Sequence, residues 1–232
     1  MKYPAFSLVH PTARPSEWWQ TRDKWIAAAS RHADFEYVVC ADWKDFGTIT
    51  PKDAEPARLV WNYGKPCSVD ATNVAAQCAV GRVLVVISDD IYPCQDWDIW
   101  LAEVPELWSD DPCVLRVSTG GTADQRGLLT VQILNRARYE QVGYLFYPGY
   151  VSMHSDDEFS IRAERDGVVV NRLDILFRHE HWSTGERPMD PVYERQNAPL
   201  RYQYGAALLK WRQENGFPVQ IPEPFFEARG KV

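Results

Sequence analysis

Residues 83–90, Val-Leu-Val-Val-Ile-Ser-Asp-Asp, give the strongest indication of the fold. Five consecutive apolar residues, four of them β-branched, are typical of a strand buried on both faces of a sheet. Two carboxylates, Asp89 and Asp90, follow at the carboxyl end of that strand. Ligands of open parallel α/β sheets bind outside the carboxyl ends of the strands, and adjacent carboxylates suit a hard divalent cation that neutralises phosphate. The segment therefore indicates either the metal edge of a nucleotide site or a helix N-cap, which Asp also favours.

Length and composition limit the class of protein. A chain of 232 residues is the size of one domain, with room for a C-terminal extension. The net charge of −7 excludes a broad electrostatic surface for nucleic acid, but it allows local phosphate binding through a metal. The five Cys residues form no CxxC pair and no zinc spacing, which favours reduced thiols and a cytoplasmic protein. The sequence has no signal-peptide pattern and no stretch that can span a bilayer, so we expect no membrane span.

Strand patterns alternate with helix patterns in the first half of the chain. A helix is expected over about Glu17–His32 with Ser16 as its N-cap, and a second begins near Asp70 and reaches Val80. This alternation predicts a three-layer α/β/α sandwich with a mainly parallel central sheet. The predicted strands are Phe6–Val9, which ends in a loop enforced by Pro11, Glu36–Cys40, Arg58–Trp61, Val83–Ile87 and Cys113–Ser118.

The second half of the chain is less regular. Leu128–Leu134 has the composition of a strand, and a later helix is expected to begin with Asp156 as N-cap and to end at Gly167. The polar, Pro-containing residues from Trp182 to Pro199 predict a mobile flap, followed by a last helix over Tyr202–Gln213 and a tail. We therefore expect the main domain over residues 1–182, with the flap, helix and tail of residues 183–232 packed on it.

Polar side chains follow three of the early strands. They are Thr12 or Arg14 after the first strand, Asp42 after the second, and Asp89 with Asp90 after the fourth. Because the carboxyl ends of parallel strands meet at one edge of a sheet, these groups are expected to share a site. The guanidinium of Arg14 can bind a diphosphate, and Asp42 can accept a hydrogen bond from a base or a ribose hydroxyl. Each of these residues can also be an ordinary solvated loop residue.

His179 and His181 stand two residues apart at the end of a strand pattern. A period of two places both side chains on one face of the strand. Imidazole is a common ligand of borderline divalent ions, so the pair is a candidate metal site. The alternative is a pair of histidines with a purely structural role.

Asp156, Asp157 and Glu158 form a cluster of carboxylates at a predicted helix start. The helix dipole keeps such groups ionised, and an ionised carboxylate can take a proton from an acceptor hydroxyl. The alternative is simple helix capping.

Together, these motifs resemble the GT-A glycosyltransferases, particularly the inverting family 2, from about Phe6 to His181. Ile87 stands where the family has the first Asp of its DxD motif, and Thr72 stands where an Arg usually precedes Asn73. The matching motifs are Pro11-Thr12-x-Arg14 in the first nucleotide loop, Asp42 at the uracil position, Asn73 in the helix that ends at Ala79-Val80-Gly81, Ser88-Asp89-Asp90 in the DxD region, Asp156-Asp157 at the "ED" position of the catalytic base, and His179-x-His181.

This resemblance implies a GT-A, Rossmann-like fold and a hexosyl- or pentosyltransferase. Such an enzyme moves a sugar from a nucleoside diphosphate-sugar, expected to be a UDP-sugar, to an acceptor hydroxyl with inversion. Asp157 is then the catalytic base, and Asp89 with His179 or His181 holds Mn²⁺ or Mg²⁺. The implied contacts to the nucleotide-sugar are Pro11, Thr12, Arg14, Asp42, Asn73, Ser88 and Asp90.

Two other functions are compatible with these residues. A nucleotidyltransferase on the same scaffold would release pyrophosphate, although no Gly-rich phosphate loop with a following Arg or Lys accompanies the first strand. A non-catalytic module that binds a nucleotide-sugar or a glycan is the second alternative, because a fold does not by itself imply activity. For a transferase, a saccharide is the expected acceptor and a modified DNA base is an alternative.

Overall fold

The computed structural model describes residues 3–14, 17–46 and 51–232. A seven-stranded sheet forms its centre, with the strand order β3-β2-β1-β4-β7-β6-β8, and β5 pairs with β9 in a separate ladder. The strands are β1 (Phe6–Thr12), β2 (Phe35–Asp42), β3 (Arg58–Asn62), β4 (Val83–Val86), β5 (Ile91–Tyr92), β6 (Val114–Ser118), β7 (Ile133–Asn135), β8 (Val169–Leu176) and β9 (Arg178–His179).

Most neighbouring strands of the central sheet run parallel, and only β7 runs antiparallel to its neighbours β4 and β6. Helices connect the strands and cover both faces. None of them, within the described ranges, combines the length and the hydrophobicity that crossing a membrane requires. The helices are α1 (Trp18–Ala27), α2 (Trp43–Phe46), α3 (Pro51–Ala54), α4 (Ser68–Cys78), α5 (Trp97–Ala102), α6 (Thr122–Gln125), α7 (Arg136–Val142), α8 (Ser155–Arg165), α9 (Pro191–Gln196), α10 (Pro199–Glu214) and α11 (Glu223–Arg229), with 3-10 turns at Pro105–Trp108 and Trp182–Thr184.

Both faces of the sheet are buried. Successive residues of a strand point to opposite faces, and β1 follows this rule. Leu8 packs in one hydrophobic cluster with Trp25 of α1 and Trp97 of α5, whereas Val9 packs in another cluster with Ala75 of α4. The predicted three-layer α/β/α sandwich with a mainly parallel sheet is therefore confirmed.

The prediction that the first strand ends at Val9 is wrong. β1 continues through Pro11 to Thr12, and Pro11 lies opposite Cys40 of β2. The pairing of β1 with β4 stops at Val9. Beyond that point β1 has a neighbour on one side only, and a proline without an N–H is tolerated where a strand has an open edge. The longer strand carries Thr12 to the edge of the sheet where the strands end.

The strand predicted over Leu128–Leu134 is shorter and begins later. β7 covers Ile133–Asn135, because the chain before it folds into a local turn. The buried Gln132 stabilises that turn, since its side-chain amide donates to the carbonyl oxygens of Leu129, at 2.6 Å, and Thr130, at 3.1 Å.

The two predicted helix caps have different outcomes. Ser16, the predicted N-cap of the first helix, lies outside the described residues. The helix predicted to begin with Asp156 as its cap begins instead at Ser155, with His154 at the N-cap in a left-handed conformation (φ 70°). Asp156 therefore lies in the first turn of α8, where its Oδ1 atom accepts the backbone N–H of Asp157 at 3.1 Å. Gly167 follows this helix with a φ of 68°, as predicted.

The segment predicted as a flap contains α9 and contacts the ends of the central strands. The Arg14 Nε atom donates to Asp190 Oδ2 at 2.8 Å, and Arg187 Nη1 donates to the backbone oxygen of Asp89 at 2.8 Å. These contacts place the beginning of the C-terminal region against the edge where the predicted ligand site lies.

A buried ion pair attaches α10 to α8. Glu158 and Arg212 are 2% and 0% exposed, and the Arg212 Nη2 atom donates to Glu158 Oε1 at 2.7 Å. Tyr150 Oη donates to Glu158 Oε2 at 3.0 Å, and the Arg212 guanidinium stacks 3.2 Å from the centre of the Tyr147 ring. With both charges paired in the interior, loss of either partner leaves an uncompensated buried charge.

Glu158→Gln is expected to lower the free energy of unfolding by about 3–5 kcal/mol, because it leaves the Arg212 charge buried and unpaired. For a chain of this size, that loss lowers the midpoint of thermal unfolding by at least roughly 6 °C. Glu214→Gln is the matched control, since it breaks a pair with Lys210 in which both side chains are more than half exposed, and exposed pairs contribute about 0–1 kcal/mol. Equal midpoints for the two variants would contradict this assignment.

Candidate functional site

A cleft of about 240 Å³ opens at the carboxyl ends of β1, β2 and β4. All the site residues predicted from the sequence line it, except Asn73 and Asp157. The predicted residues that the structure brings together are Pro11, Thr12, Arg14, Asp42, Ser88, Asp89, Asp90, His179 and His181.

A cluster of candidate metal ligands lies in this cleft. The small ladder between β5 and β9 pairs Ile91 with His179, so His179 stands beside Asp90 at the end of β4. One ligand atom from each of Asp90, His179 and His181 can be chosen such that all lie within 4.8 Å of one another. The Nδ1 atom of His181 lies 2.7 Å from Ser183 Oγ, which leaves its Nε2 atom for a ligand. One carboxylate and two imidazoles form a donor set that suits a borderline divalent cation.

Hydrogen bonds and charge hold the Asp90 carboxylate in its ionised form. His179 Nε2 lies 3.3 Å from Asp90 Oδ2, Tyr193 Oη donates to the same oxygen at 2.5 Å, and Ser88 Oγ donates to Oδ1. Burial alone would raise the pKa of Asp90, but the bonds from His179, Ser88 and Tyr193 outweigh it and lower the pKa well below its usual range. Asp90 is therefore an anion that is fixed in orientation.

The Asp89 carboxylate is not part of this cluster and contacts residues of β1 and the loop that follows it. Its Oδ1 atom lies 2.9 Å from His10 Nε2 and accepts from Thr12 Oγ1 at 2.9 Å, while Arg14 Nη1 donates to Oδ2 at 3.2 Å. The resemblance implied Asp89 as the metal ligand, whereas the structure groups Asp90 with His179 and His181. The two carboxylates leave the chain in different directions, Asp89 towards β1 and Asp90 towards β9, which their adjacent positions in the sequence do not indicate.

Asn73 contacts the chain rather than the cleft. Its Oδ1 atom accepts the backbone N–H groups of Leu145 and Phe146 at 3.0 and 3.1 Å, and its Nδ2 atom donates to the Phe146 oxygen at 2.7 Å. In this position the side chain joins α4 to the aromatic segment that forms one wall of the cleft. A direct contact between Asn73 and a ligand in the cleft has no geometric support.

The two acidic residues at the start of α8 have different environments. Asp156 lines the cleft, and burial together with the charge of Asp157 raises its pKa. Asp157 points to the other side of the helix, where its Oδ2 atom lies 2.9 Å from His154 Nδ1 and its Oδ1 atom lies 3.6 Å from Arg126 Nη2. The bond to His154 lowers the pKa of Asp157. Of these two carboxylates, that of Asp156 faces the cleft.

The C-terminal region adds cleft residues that were not predicted from the sequence, including Tyr193 and Arg195 of α9 and Arg201 of α10. Arg201 is half-buried, and burial and the charge of Arg195 lower its pKa. Across residues 3–14, 17–46 and 51–232, no side chain or carbonyl forms a hydrogen bond or ion pair with the Arg201 guanidinium. A half-buried cation that lacks a hydrogen-bond or ion-pair partner favours an anionic ligand. Tyr193 and Arg195 lie in the segment from Trp182 to Pro199 that the sequence pattern indicated as a flap, and Arg201 lies just after it, so no motif marked these residues.

Asp42 is buried at the end of β2, and Asn62 Nδ2 of the neighbouring β3 donates to its Oδ1 atom at 2.7 Å. Thr12 and Asp42 thus lie at the ends of adjacent strands, and both line the cleft that contains the Asp90 cluster. The cleft therefore combines candidate metal ligands with polar groups that can bind a base or a ribose.

Comparison with known proteins establishes the fold. No protein-family model matches the sequence, and no curated protein matches it. Among solved structures, S. aureus TarS is similar over 96% of this chain and 49% of its own, with 13% sequence identity and a TM-score of 0.55, so the chain spans about half of that protein. A TarS fragment of residues 1–349 matches over 96% of this chain and 77% of its own, with 14% identity and a TM-score of 0.57.

The glucosyl-3-phosphoglycerate synthase of Mycobacterium tuberculosis, solved with Mn²⁺, UDP and phosphoglyceric acid, is also similar. The match covers 93% of this chain and 80% of the synthase, with 17% identity and a TM-score of 0.59. These neighbours have the GT-A fold, and the chain shares it. At such low identity the similarity establishes the fold, and the activity has to be argued from the site.

Proposed function

We propose that this protein is a metal-dependent glycosyltransferase that uses a nucleoside diphosphate-sugar, namely a UDP-sugar, and inverts the anomeric carbon. One observation carries the proposal: the Asp90, His179 and His181 cluster shares a cleft with Thr12 and Asp42 at the strand ends. The M. tuberculosis synthase of the same fold binds Mn²⁺ and UDP in its crystal structure, which supports the choice of ligands.

The donor atoms fit a divalent cation. A carboxylate oxygen and two imidazole nitrogens favour Mn²⁺ over Mg²⁺, because Mg²⁺ prefers an all-oxygen shell with several waters. When bound, the cation supplies a Lewis acid that stabilises the charge of the departing diphosphate. Asp90, His179 and His181 hold it, and Asp90 replaces Asp89 as the proposed carboxylate ligand.

The proposed donor lies with its nucleoside at the ends of β1 and β2. Asp42 accepts a hydrogen bond from the base, while Pro11 and Thr12 contact the nucleotide. The guanidinium of Arg14 is already bound to Asp89 and Asp190, so it is less suited to a diphosphate than the sequence indicated. Among the described residues, the Arg201 guanidinium has no such partner, and we assign it the contact to the diphosphate. The resemblance would instead place an Arg for this contact at position 72, where this chain has Thr72.

Arg201→Gln is expected to weaken UDP binding by roughly 10-fold or more, because a charge-assisted hydrogen bond contributes about 1.5–3 kcal/mol. Uridine lacks the diphosphate, so its affinity is expected to stay unchanged. Calorimetric titration of both ligands measures the difference, with Arg165→Gln as a control because Arg165 is exposed on α8 outside the cleft. An equal loss for UDP and uridine would place Arg201 at the nucleoside rather than at the phosphates.

Asp156 is the proposed catalytic base. Its carboxylate faces the cleft, and its raised pKa makes it a stronger base than an ordinary Asp. In the proposed reaction Asp156 takes the proton from the acceptor hydroxyl as that oxygen attacks the anomeric carbon from the side opposite the diphosphate.

Product analysis tests the proposal. The protein is incubated with Mn²⁺, a panel of UDP-, GDP-, ADP- and CDP-sugars, and saccharide acceptors, with a modified DNA base as a further acceptor. A glycosyltransferase releases a nucleoside diphosphate, or slowly hydrolyses the donor without an acceptor. Release of pyrophosphate from a sugar phosphate and a nucleoside triphosphate would support the nucleotidyltransferase instead. Donor binding without turnover under any of these conditions would favour a binding module.

A further inference from the structure

We propose that Tyr193 is a positioning residue for the metal ligand Asp90, so that α9 of the C-terminal region sets the metal affinity of the site. The proposal rests on the metal site of the proposed function. It concerns a residue of the predicted flap, to which the sequence pattern gave no role.

Tyr193 and Ser88 each donate a hydrogen bond to one oxygen of the Asp90 carboxylate and so fix its orientation. Tyr193 is 3% exposed, and its hydroxyl donates to Asp90 Oδ2 at 2.5 Å, whereas Ser88 Oγ donates to Oδ1. The Oδ2 atom also lies 3.3 Å from His179 Nε2, on the side of the candidate ligands. A carboxylate oxygen has two lone pairs, so Oδ2 can keep the Tyr193 bond while its other lone pair faces the cation.

The Tyr193 side chain is itself held from two parts of the chain. The guanidinium of Arg14 lies 4.5 Å from the centre of its ring, and the His181 ring meets it edge-on at 5.2 Å. Asp190 binds both Tyr193 and Arg14. Its Oδ1 atom accepts the Tyr193 backbone N–H at 2.8 Å, and its Oδ2 atom accepts from Arg14 Nε at 2.8 Å. These contacts join α9 to the loop that follows β1 and hold the Tyr193 hydroxyl at Asp90.

Groups that hydrogen-bond to a metal ligand orient it, and their loss commonly weakens metal binding by about 10–100-fold. The Tyr193→Phe variant removes only the hydroxyl. It keeps the ring that packs against Arg14 and His181, so the position of α9 is expected to be preserved. The change isolates the hydrogen bond to Asp90 from the packing of the segment.

The test is a titration of the full chain with Mn²⁺ alone, in which the electron paramagnetic resonance signal of the free ion is measured. We expect the dissociation constant of Tyr193→Phe to rise about 10–100-fold, and that of the control Tyr202→Phe to match the wild type. Tyr202 is half-exposed, and its ring meets that of His154 edge-on at 4.7 Å, away from the metal ligands. Thermal unfolding of both variants verifies that they are folded.

A second measurement separates positioning from a general structural role. If Tyr193 acts through Asp90, the Mn²⁺ concentration that gives half-maximal activity rises in Tyr193→Phe, while kcat at saturating Mn²⁺ returns to near the wild-type value. Unchanged or tighter Mn²⁺ binding by Tyr193→Phe would overturn the proposal and leave the metal site intact. Failure of the wild-type protein to bind Mn²⁺ would instead overturn the metal site, and this inference with it.

Discussion

Asp156→Asn is expected to lower kcat by about 10²–10⁴-fold, which is the usual contribution of a general base, while UDP affinity stays at the wild-type value. Asp156 faces the cleft in the first turn of α8, and its raised pKa reflects burial and the nearby charge of Asp157. An amide of the same shape cannot accept the proton from the acceptor hydroxyl, but it preserves the volume of the side chain. The loss should therefore appear in the chemical step and not in donor binding.

Asp157→Asn is the matched control for this prediction. Asp157 is the next residue of the same helix, but it contacts His154 and Arg126 instead of the cleft. Its substitution should change kcat little. The reverse result, with Asp157→Asn inactive and Asp156→Asn active, would restore the role that the sequence motif assigned to Asp157. Steady-state kinetics with calorimetric titration of UDP gives both quantities for each variant.

Asp90→Asn is expected to weaken Mn²⁺ binding by more than about 100-fold, because loss of a direct ligand should exceed the 10–100-fold effect of losing an outer partner. The Asp90 carboxylate is the only anionic member of the cluster with His179 and His181, and an amide oxygen carries no formal charge to attract the cation. UDP binding that depends on Mn²⁺ should be lost together with the metal.

The neighbouring Asp89→Asn variant distinguishes the two carboxylates. Asp89 accepts hydrogen bonds from Thr12 and Arg14 in a buried network, so its substitution should lower the free energy of unfolding by about 1–3 kcal/mol. Mn²⁺ affinity should change far less than in Asp90→Asn. Loss of Mn²⁺ binding in Asp89→Asn, with retention in Asp90→Asn, would contradict the ligand assignment and support the one derived from the sequence.

The sequence alone predicted the layers of the fold and the location of the site. Hydrophobic runs such as Val83–Val86, buried on both faces, indicated a parallel sheet, and the polar residues after them marked the edge where the cleft lies. These features depend on local patterns that repeat with the period of a strand or a helix. The predicted strand end at Val9 failed because tolerance of Pro11 depends on where the neighbouring strand β4 stops, which is a property of the sheet.

The directions of single side chains were less predictable. Asp89 and Asp90 are adjacent, as are Asp156 and Asp157. The packing of β9 and α8 decides which of the first pair joins the two histidines and which of the second pair faces the cleft. Tyr193 was missed because it lies in a polar segment without clear periodicity, and Arg201 was missed because it lies between that segment and the helix predicted from Tyr202. Their presence in the cleft results from long-range packing, such as the buried pair of Glu158 and Arg212 that holds α10 against α8.

Calorimetric titration of the wild-type protein with UDP, with and without Mn²⁺, is the decisive test of a metal-dependent site in this cleft. We expect saturable UDP binding in the presence of Mn²⁺ and a large loss of affinity when the ion is chelated. The UDP affinity of the Asp90→Asn variant in the presence of Mn²⁺ should equal that of the wild-type protein in the absence of Mn²⁺. UDP binding that is indifferent to Mn²⁺, or no binding of any nucleoside diphosphate in either condition, would contradict a metal-dependent nucleotide-sugar site in this cleft.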